Sequence, residues 1–340
     1  MYKLTINLKQ LLIGLTALFI LSSCSNCIMK PISKSVSKSC KFPPYLKEGD
    51  KVAIISPAGA SDSIMLNGAV KCLKDWELSP CFEKYAAGVY NDYSGTTEQR
   101  LSDLQKAFDD PDVKAILCSR GGYGVIHLID KINFTRFNRH PKWLIGYSDI
   151  TALHSLIQHH SVASIHAPMS EQMAYEPDSD QSLNYLKNIL FGKLPSYHIT
   201  TDINNHPGKA TGILRGGNLS VYYGLRGTPY DIPPKGTILF IEDVGEHYHT
   251  IERMLYNLKL GGVLENLSGL IIGQFSKIDK KEWMNDKDTY RSIANLLAEY
   301  HYPICFGFPV GHVTENYPLI EGAKIEMSIN TNGVDIHYLK

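Results

Sequence analysis

The chain has 340 residues, of which 44% are hydrophobic and 20% are charged, as in soluble globular proteins, so a largely disordered chain is excluded. Its 34 basic residues balance 34 acidic residues and no basic block occurs, which argues against nucleic acid as a partner. The length is sufficient for two ordinary domains.

The N-terminus has the pattern of a secretion signal. Met1–Ser23 combines a weakly basic start with an apolar stretch, Leu11–Leu21, that is too short to span a bilayer comfortably. It ends in Leu-Ser-Ser-Cys, which resembles the lipobox of bacterial lipoproteins, with Cys24 as the acylated residue. We therefore expect a signal peptide over 1–23, a lipid anchor on Cys24 and a flexible tether over 24–43, in the cell envelope and facing the periplasm. The alternative is an ordinary signal peptide with an unmodified cysteine.

The next part of the chain alternates strand and helix patterns. Lys51–Pro57 is a β-branched run that predicts a buried parallel strand, and apolar residues at helical spacing follow over 65–76. Thr96 and Gln99 form a capping-box pattern before a second helix, and Val113–Cys118 predicts another buried strand. This alternation indicates a parallel sheet with helices on its faces.

Seven cysteines are present, and Cys24 and Cys27 have C-x-x-C spacing. With Cys24 assigned to the lipid anchor, no C-x-x-C pair remains, so neither a redox motif nor a structural zinc site is indicated. Cys72 and Cys81 are close enough in sequence for a disulfide. Because Cys72 fits the apolar face of a helix, we interpret both as free and buried.

Two turns in this half carry polar residues. The strand ending at Cys118 continues into Ser119–Gly124, a glycine cluster that lets backbone N–H groups approach a ligand, although a simple tight turn is the rival interpretation. The stretch Trp143–Thr151 places Ser148 between a short apolar run and a helical pattern. A serine at a sharp strand-to-helix turn is presented as a nucleophile.

The second half predicts further strands and helices after a weakly patterned stretch. We place a linker at 171–208, with a helix near 183–190, between an N-terminal domain (44–170) that carries the nucleophile and a C-terminal domain (209–340). Thr237–Ile241 predicts a strong strand, apolar residues at 251–258 predict a helix, and strands are expected near Leu270 and Cys305. The last stretch, 324–338, predicts a hairpin with Asn332-Gly333 at its turn.

A serine nucleophile needs a base and an acid that orients the base. Glu242 directly follows the predicted strand and is our choice of acid, although it fits a turn cap equally well, with Asp243 and Glu246 as alternatives. Thirteen histidines compete for the role of base. His312 is our choice, because it lies in a glycine-preceded loop after an apolar run.

A metal site at His159, His160 and His166 is the weaker interpretation, since no H-E-x-x-H motif or comparable carboxylate spacing supports it. The order serine, acid, histidine is also that of α/β-hydrolases. Their G-x-S-x-G elbow is absent here, because Ile150 takes the place of the last glycine.

Five motifs in order, S-R-G-G-Y-G, G-Y-S-D-I-T, G-G-N-L, F-I-E-D-V-G-E and G-H-V-T-E-N-Y-P-L, resemble the LD-carboxypeptidase family of serine peptidases, which includes the microcin C immunity peptidases. The resemblance implies a two-domain α/β fold: an N-terminal flavodoxin- or Rossmann-like parallel sheet with helices on both faces, and a mostly β C-terminal domain with helices. It implies Ser148 as nucleophile, Glu242 as acid and His312 as base, with no metal or other cofactor, and it suggests a homodimer.

The resemblance also implies an oxyanion hole and a substrate. The hole is expected to use the N–H of Asp149 with that of Gly122, or with that of Gly121 as the second choice. Arg120 and Tyr123 are the expected substrate-binding residues, and Arg226 is a second candidate for binding a terminal carboxylate.

We expect hydrolysis of the L,D-peptide bond before the terminal D-alanine of murein tetrapeptides. The rival functions are a self-immunity peptidase of the microcin C type and a non-enzymatic substrate-binding lipoprotein. Family members that act on murein work in the cytoplasm, and the secretion signal departs from that pattern.

Overall fold

The computed structural model describes residues 36–175, 181–279 and 286–339, which belong to one compact unit with two sheets. The strands are β1 (Lys51–Ile55), β2 (Ser79–Phe82), β3 (Val113–Cys118), β4 (Trp143–Gly146), β5 (Ser164–His166), β6 (Ser196–Ile199), β7 (Gly208–Asn218), β8 (Thr237–Val244), β9 (Gly269–Ser276), β10 (Ile304–Phe306), β11 (Leu319–Glu321), β12 (Lys324–Asn330) and β13 (Gly333–Tyr338). The α-helices are α1 (Ser63–Asp75), α2 (Thr97–Asp109), α3 (Thr135–Arg139), α4 (Thr151–His159), α5 (Ser170–Tyr175), α6 (Gln181–Leu190), α7 (Leu219–Leu225), α8 (Tyr248–Leu260) and α9 (Asp286–Leu297).

The first sheet has the strand order β11-β5-β4-β3-β1-β2. Strands β1 to β5 pair in parallel, and β11 adds an antiparallel edge strand beside β5. Apolar residues alternate to both faces of the sheet, with α1 and α6 in the core on one face and α2 and α4 in the core on the other. The predicted parallel sheet with helices on both faces is therefore confirmed, and so is the capping box of Thr96 and Gln99 at the start of α2.

The second sheet has the strand order β10-β9-β8-β7-β12-β13-β6. Its first four strands pair in parallel and the rest pair antiparallel. The predicted hairpin is present, but its turn is Thr331–Asn332, one residue earlier than the predicted Asn332-Gly333, because Gly333 already pairs with Asn330. Strand β7 is longer than its sequence suggests, because glycines interrupt the apolar pattern. A Cβ at Gly216 would lie 1.8 Å from the carbonyl oxygen of Phe240 on β8, so the close approach of these strands requires glycine.

Residues 171–208, which we expected to be a linker, contribute to both sheets. The apolar face of α6 packs into the core of the first sheet, where each large aliphatic side chain contributes about 1.5–3 kcal/mol, and β6 pairs with β13 in the second. The end of the expected tether is also docked: Ser37 N–H donates to the carbonyl of Lys235 at 2.7 Å, and Cys40 N–H donates to that of Gly322 at 2.8 Å. The domain boundaries themselves stay a prediction.

Cys72 and Cys81 form no disulfide, as predicted, but only Cys72 is buried; Cys81 lies on the edge strand β2 and is half-buried. None of the helices in the described part of the chain is long and apolar enough to cross a membrane. The signal peptide and the lipid anchor on Cys24 lie outside the described residues, so both stay predictions.

Candidate active site

Ser148 lies on a strained turn between β4 and α4. Its φ of +64° is left-handed, a conformation that costs a non-glycine residue about 1–2 kcal/mol. The chain leaves β4, turns at Tyr147 and enters a 3₁₀ helix at Ser148–Ile150 that runs directly into α4. The turn therefore presents the Ser148 hydroxyl at the carboxyl end of the sheet, as the sequence predicted, next to the first N–H groups of a helix, which have no partner within that helix.

Glu242 and His312 reach Ser148 from the second sheet. The Nδ1 of His312 lies 2.8 Å from Oε2 of Glu242, and its Nε2 lies 3.0 Å from Oγ of Ser148. We assign the ring proton to Nδ1, because this nitrogen faces the carboxyl group of the fully buried Glu242. Nε2 is then free to accept the hydroxyl proton of Ser148, and the structure brings the three predicted residues into one relay.

Glu242 lies within β8, which corrects the expectation that it follows the strand. The pattern of the sequence ended the strand at Ile241, because two carboxylates do not fit a buried strand. Asp243 accepts from the side-chain amide of Asn218 at 3.0 Å and from Ser220 N–H at 2.9 Å, which satisfies both of its oxygens. Glu242 accepts from His312 through Oε2, whereas its buried Oε1 has no partner among the described residues. Burial and the neighbouring Glu242 raise the pKa of Asp243 to about 7.

The loop that carries His312 is fixed on both sides of the imidazole. Gly311 has a φ of +127°, and a Cβ there would lie 2.8 Å from Oε2 of Glu242, so this position requires glycine. The Gly311 N–H donates to the side-chain oxygen of the buried Asn316 at 2.9 Å. The hydroxyl of Ser276 donates to the carbonyl of His312 at 3.1 Å. The backbone of the base is thereby held against β8 and β9.

His166 is a buried histidine behind the site that the sequence analysis considered only as a metal ligand. Its ring lies 5.7 Å from that of Tyr147, which in turn lies 4.9 Å from the ring of His312. Burial and the neighbouring imidazoles of His154 and His312 hold the pKa of His166 well below its usual range. His166 therefore stays neutral and places no positive charge behind the base.

The glycine loop, residues 119–124, packs directly against Ser148. A Cβ at Gly121 would lie 2.7 Å from Cβ of Ser148, so the approach of the loop depends on glycine. The carbonyl of Gly121 accepts from Gly59 N–H at 3.0 Å, and since the two polar groups of a peptide unit point in opposite directions, the N–H of Gly122 points away from Gly59.

The side chain of Asp149 ties this loop to the nucleophile turn. Its Oδ2 accepts from Val125 N–H at 2.9 Å, directly after the glycine cluster. Burial raises the pKa of Asp149 to about 6, while the bond from Val125 N–H and the charge of Arg100 oppose the rise. The N–H groups of Asp149 and Gly122 remain our choice for the oxyanion hole.

Two cavities flank the relay. One, of about 450 Å³, is lined by Gly122, Tyr123, Ser148, Asp149, Asn218 and Asp243, among others. The other, of about 320 Å³, is lined by Tyr147, Glu171, Gln172, Lys277, His312 and Thr314, among others. We call them the serine cavity and the histidine cavity.

The arginines considered for substrate binding line neither of these two cavities. Arg120 donates to the carbonyl of Ala60 at 2.9 Å. Nη1 of Arg226 donates to both carboxylate oxygens of Asp231, at 2.7 and 2.6 Å. Tyr123, the other expected substrate-binding residue, lines the serine cavity and is largely exposed. Its role stays a prediction, as does that of Arg120.

Both halves of the chain are similar to known proteins. The chain matches the profile of the LD-carboxypeptidase N-terminal domain over residues 52–167 and that of the LD-carboxypeptidase C-terminal domain over residues 211–327. It is 32% identical over 291 residues to a probable murein peptide carboxypeptidase of Bacillus subtilis, covering 84% of this chain and 91% of the relative.

Two further proteins extend the comparison. A murein tetrapeptide carboxypeptidase of Pseudomonas aeruginosa is 32% identical over 279 residues, covering 78% of this chain and 89% of the relative. Among solved structures, a muramoyltetrapeptide carboxypeptidase from Oxalobacter formigenes superposes with a TM-score of 0.76 at 26% identity, covering 85% of this chain and 99% of that chain.

Proposed function

The chain belongs to the LD-carboxypeptidase family, and from that premise we propose that it is a serine-type carboxypeptidase that removes the terminal D-alanine of murein tetrapeptides. The observation that carries the proposal is the relay Ser148–His312–Glu242, with its hydrogen bonds of 3.0 and 2.8 Å. The names of the relatives, which refer to murein peptides, support the substrate class.

The proposed chemistry follows from the protonation pattern of the relay. Oγ of Ser148 attacks the carbonyl carbon of the L,D-peptide bond while Nε2 of His312 takes the hydroxyl proton, and Glu242 stabilises the imidazolium that forms. The N–H groups of Asp149 and Gly122 stabilise the negative charge that develops on the carbonyl oxygen.

The tetrahedral intermediate formed by this attack then breaks down to an acyl-enzyme, which water hydrolyses in a second stage. The C–N bond breaks, His312 returns its proton to the leaving nitrogen, and D-alanine departs from an acyl-enzyme. A water molecule, deprotonated by His312, attacks the acyl carbon, and Ser148 recovers its proton as the tripeptide is released. Every proton that leaves a nucleophile passes through the same imidazole nitrogen.

The test follows D-alanine release from a murein tetrapeptide by the full-length protein. We expect Ser148→Ala to lose at least about 10⁴-fold in kcat, because the relay acts as a unit. Ser102→Ala, in an exposed serine of α2 that lines neither cavity, serves as the matched control and should keep wild-type activity. A fluorophosphonate probe should label wild-type protein and not Ser148→Ala. Wild-type activity in Ser148→Ala would exclude the serine mechanism, and a protein that instead cleaves a peptide-nucleotide antibiotic would favour the self-immunity function.

We also propose that the protein works in the cell envelope, anchored by a lipid on Cys24 and facing the periplasm. The proposal rests on the secretion-signal pattern of residues 1–23 and on the lipobox. Mass spectrometry of the mature protein should find an acylated N-terminal Cys24. An unmodified Cys24 in a protein that stays in the soluble fraction would refute the anchor. A homodimer stays a prediction.

A further inference from the structure

The position of His312 determines which of the two cavities takes the leaving residue of a substrate and which takes its acyl part. His312 returns a proton to the leaving nitrogen, and a general acid must lie within hydrogen-bond reach of the atom that it protonates. The leaving residue must therefore lie on the side of Ser148 where His312 is exposed. This is the histidine cavity, whereas the serine cavity, with the N–H groups of Asp149 and Gly122, faces the acyl part.

The leaving residue of a carboxypeptidase carries a free carboxylate, and a carboxylate that leaves water for a cavity of the protein needs a cation or a group of N–H donors. Among the described residues that line the histidine cavity, Lys277 has the one permanent positive charge. Arg120 and Arg226, which line neither cavity, are bound to the carbonyl of Ala60 and to Asp231.

Lys277 is positioned by the same structure that positions the base. It follows β9 directly and has a left-handed φ of +50°, which a lysine adopts only under constraint. The residue before it, Ser276, donates its hydroxyl to the carbonyl of His312 at 3.1 Å and accepts from Gly245 N–H at 3.0 Å through its own carbonyl. The residue directly before Lys277 is thus hydrogen-bonded to the backbone of His312.

The Lys277 ammonium makes no ion pair or hydrogen bond with the residues described in 36–175, 181–279 and 286–339. The cavity is also lined by the negatively charged Glu171, which is not within ion-pair distance of Lys277. A carboxylate that enters the cavity is repelled by Glu171 and attracted by Lys277, so the two charges orient it.

We propose that Lys277 binds the terminal carboxylate of the leaving D-residue and thereby makes the enzyme a carboxypeptidase rather than an endopeptidase. This inference rests on the proposed function, since it requires His312 to be the acid for the leaving nitrogen. The ammonium fixes the free end of the substrate, and the scissile bond is then the one bond that spans from the histidine cavity to Ser148.

The test compares two substrates in two enzymes. The substrates are a murein tetrapeptide that ends in D-alanine and the same peptide that ends in D-alaninamide, which lacks the charge. We expect Lys277→Met to lower kcat/KM for the acid about 10- to 100-fold, mostly through KM, and to change that for the amide by less than twofold. The preference of the enzyme for the acid over the amide should collapse.

Two control variants separate charge from structure. Lys277→Arg keeps the charge and should stay within about fivefold of the wild type on the acid. Lys131→Met removes an exposed lysine that lines a different groove and should leave both substrates unaffected.

Each outcome bears on a separate claim. A loss below twofold on the acid in Lys277→Met, or an equal loss on acid and amide, overturns the role of Lys277 while the proposed function stands. If the wild type cleaves the acid alone, a loss of at least tenfold in Lys277→Met that Lys277→Arg restores supports the role. A wild type that releases neither D-alanine from the acid nor D-alaninamide from the amide overturns the proposed function and this inference together.

Discussion

Ser148, the proposed nucleophile, and the pair of Glu242 and His312 are positioned in different ways by the two sheets. Ser148 owes its position to a local sequence, in which a buried strand, one turn and the start of α4 follow one another within a few residues. Glu242 and His312 are 70 residues apart and meet because β8 and β10, the strand before the loop of His312, belong to one sheet. A nucleophile can thus be set by local backbone strain, whereas its base requires the tertiary structure.

Replacing Glu242 tests the part of the site that depends on contacts between distant residues, without changing the turn at Ser148. We expect Glu242→Gln to lower kcat/KM for the tetrapeptide about 10³- to 10⁴-fold, because an amide can donate to Nδ1 and stabilise the wrong imidazole tautomer. Ser148 and its strained turn stay intact in this variant. Glu246→Gln, in the other glutamate near the end of β8, should stay within about twofold of the wild type. Similar losses in both variants would remove Glu242 from the relay.

Each side also has a glycine that lets a loop touch a catalytic side chain, and alanine at these positions compares the two sides. Gly121 has only the contact, with a Cβ position 2.7 Å from Cβ of Ser148, whereas Gly311 combines a contact of 2.8 Å to Glu242 with a φ of +127°. We expect each alanine variant to lose about 100-fold in kcat/KM, since displacing a catalytic group by about 1 Å has an effect of this size.

The stability of the two variants should differ. Gly311→Ala should lose about 1–2 kcal/mol of unfolding free energy more than Gly121→Ala, because only Gly311 requires the left-handed backbone. Gly49→Ala supplies the control: Gly49 has a φ of +80° and open space around it, so alanine there should cost stability and leave kcat/KM intact. Urea unfolding and steady-state kinetics measure both quantities. Wild-type kinetics in Gly311→Ala would show that the loop can move without displacing His312.

The smallest expected effect concerns the seam between the two sheets. Glu321 on β11 is fully buried, and its Oε2 accepts from the side-chain amide of Gln158 at 2.6 Å, whose oxygen accepts from Arg215 on β7 at 2.6 Å. Burial raises the pKa of Glu321 to about 8. The folded protein therefore keeps a proton that the unfolded chain loses near its ordinary pKa, about 4.3.

A raised carboxyl pKa contributes stability at low pH, and this contribution is lost as the pH rises from about 4.5 to 8. We expect the unfolding free energy of the wild type to fall over this range by up to about 1.4 kcal/mol per pH unit relative to Glu321→Gln. Urea unfolding at several pH values measures the difference, and Glu326→Gln, on the exposed side of β12, should keep the wild-type slope. Parallel pH profiles of wild type and Glu321→Gln would show that Glu321 is ionised in the folded state.

What the sequence predicts divides along the same line. The strands β1 and β3, the helix α2 with its capping box, the hairpin of β12 and β13, and the turn at Ser148 depend on neighbours in sequence, and the structure has each of them. The predicted nucleophile, acid and base also meet, although their catalytic roles await the experiments above.

Features that depend on distant contacts were missed. The glycines of β7 hide a strand of eleven residues, because their reason is the carbonyl of Phe240 on the next strand. The end of β8 was misplaced, because the partners that make buried carboxylates tolerable come from other elements. Lys277 carried no signal at all, since a lysine after a strand gains meaning only from the cavity beside it.

The place of β11 in the sequence has a consequence for the protein during its synthesis. It lies beyond His312 in the chain, yet it covers the edge of β5 in the first sheet, where Leu319 pairs with His166. While the ribosome is still making the second half, that edge has unpaired backbone groups, and the turn at Ser148 has neither its base nor its acid. The nascent chain thus emerges with Ser148 apart from Glu242 and His312, and β11 completes the first sheet only after both of these residues have been synthesised.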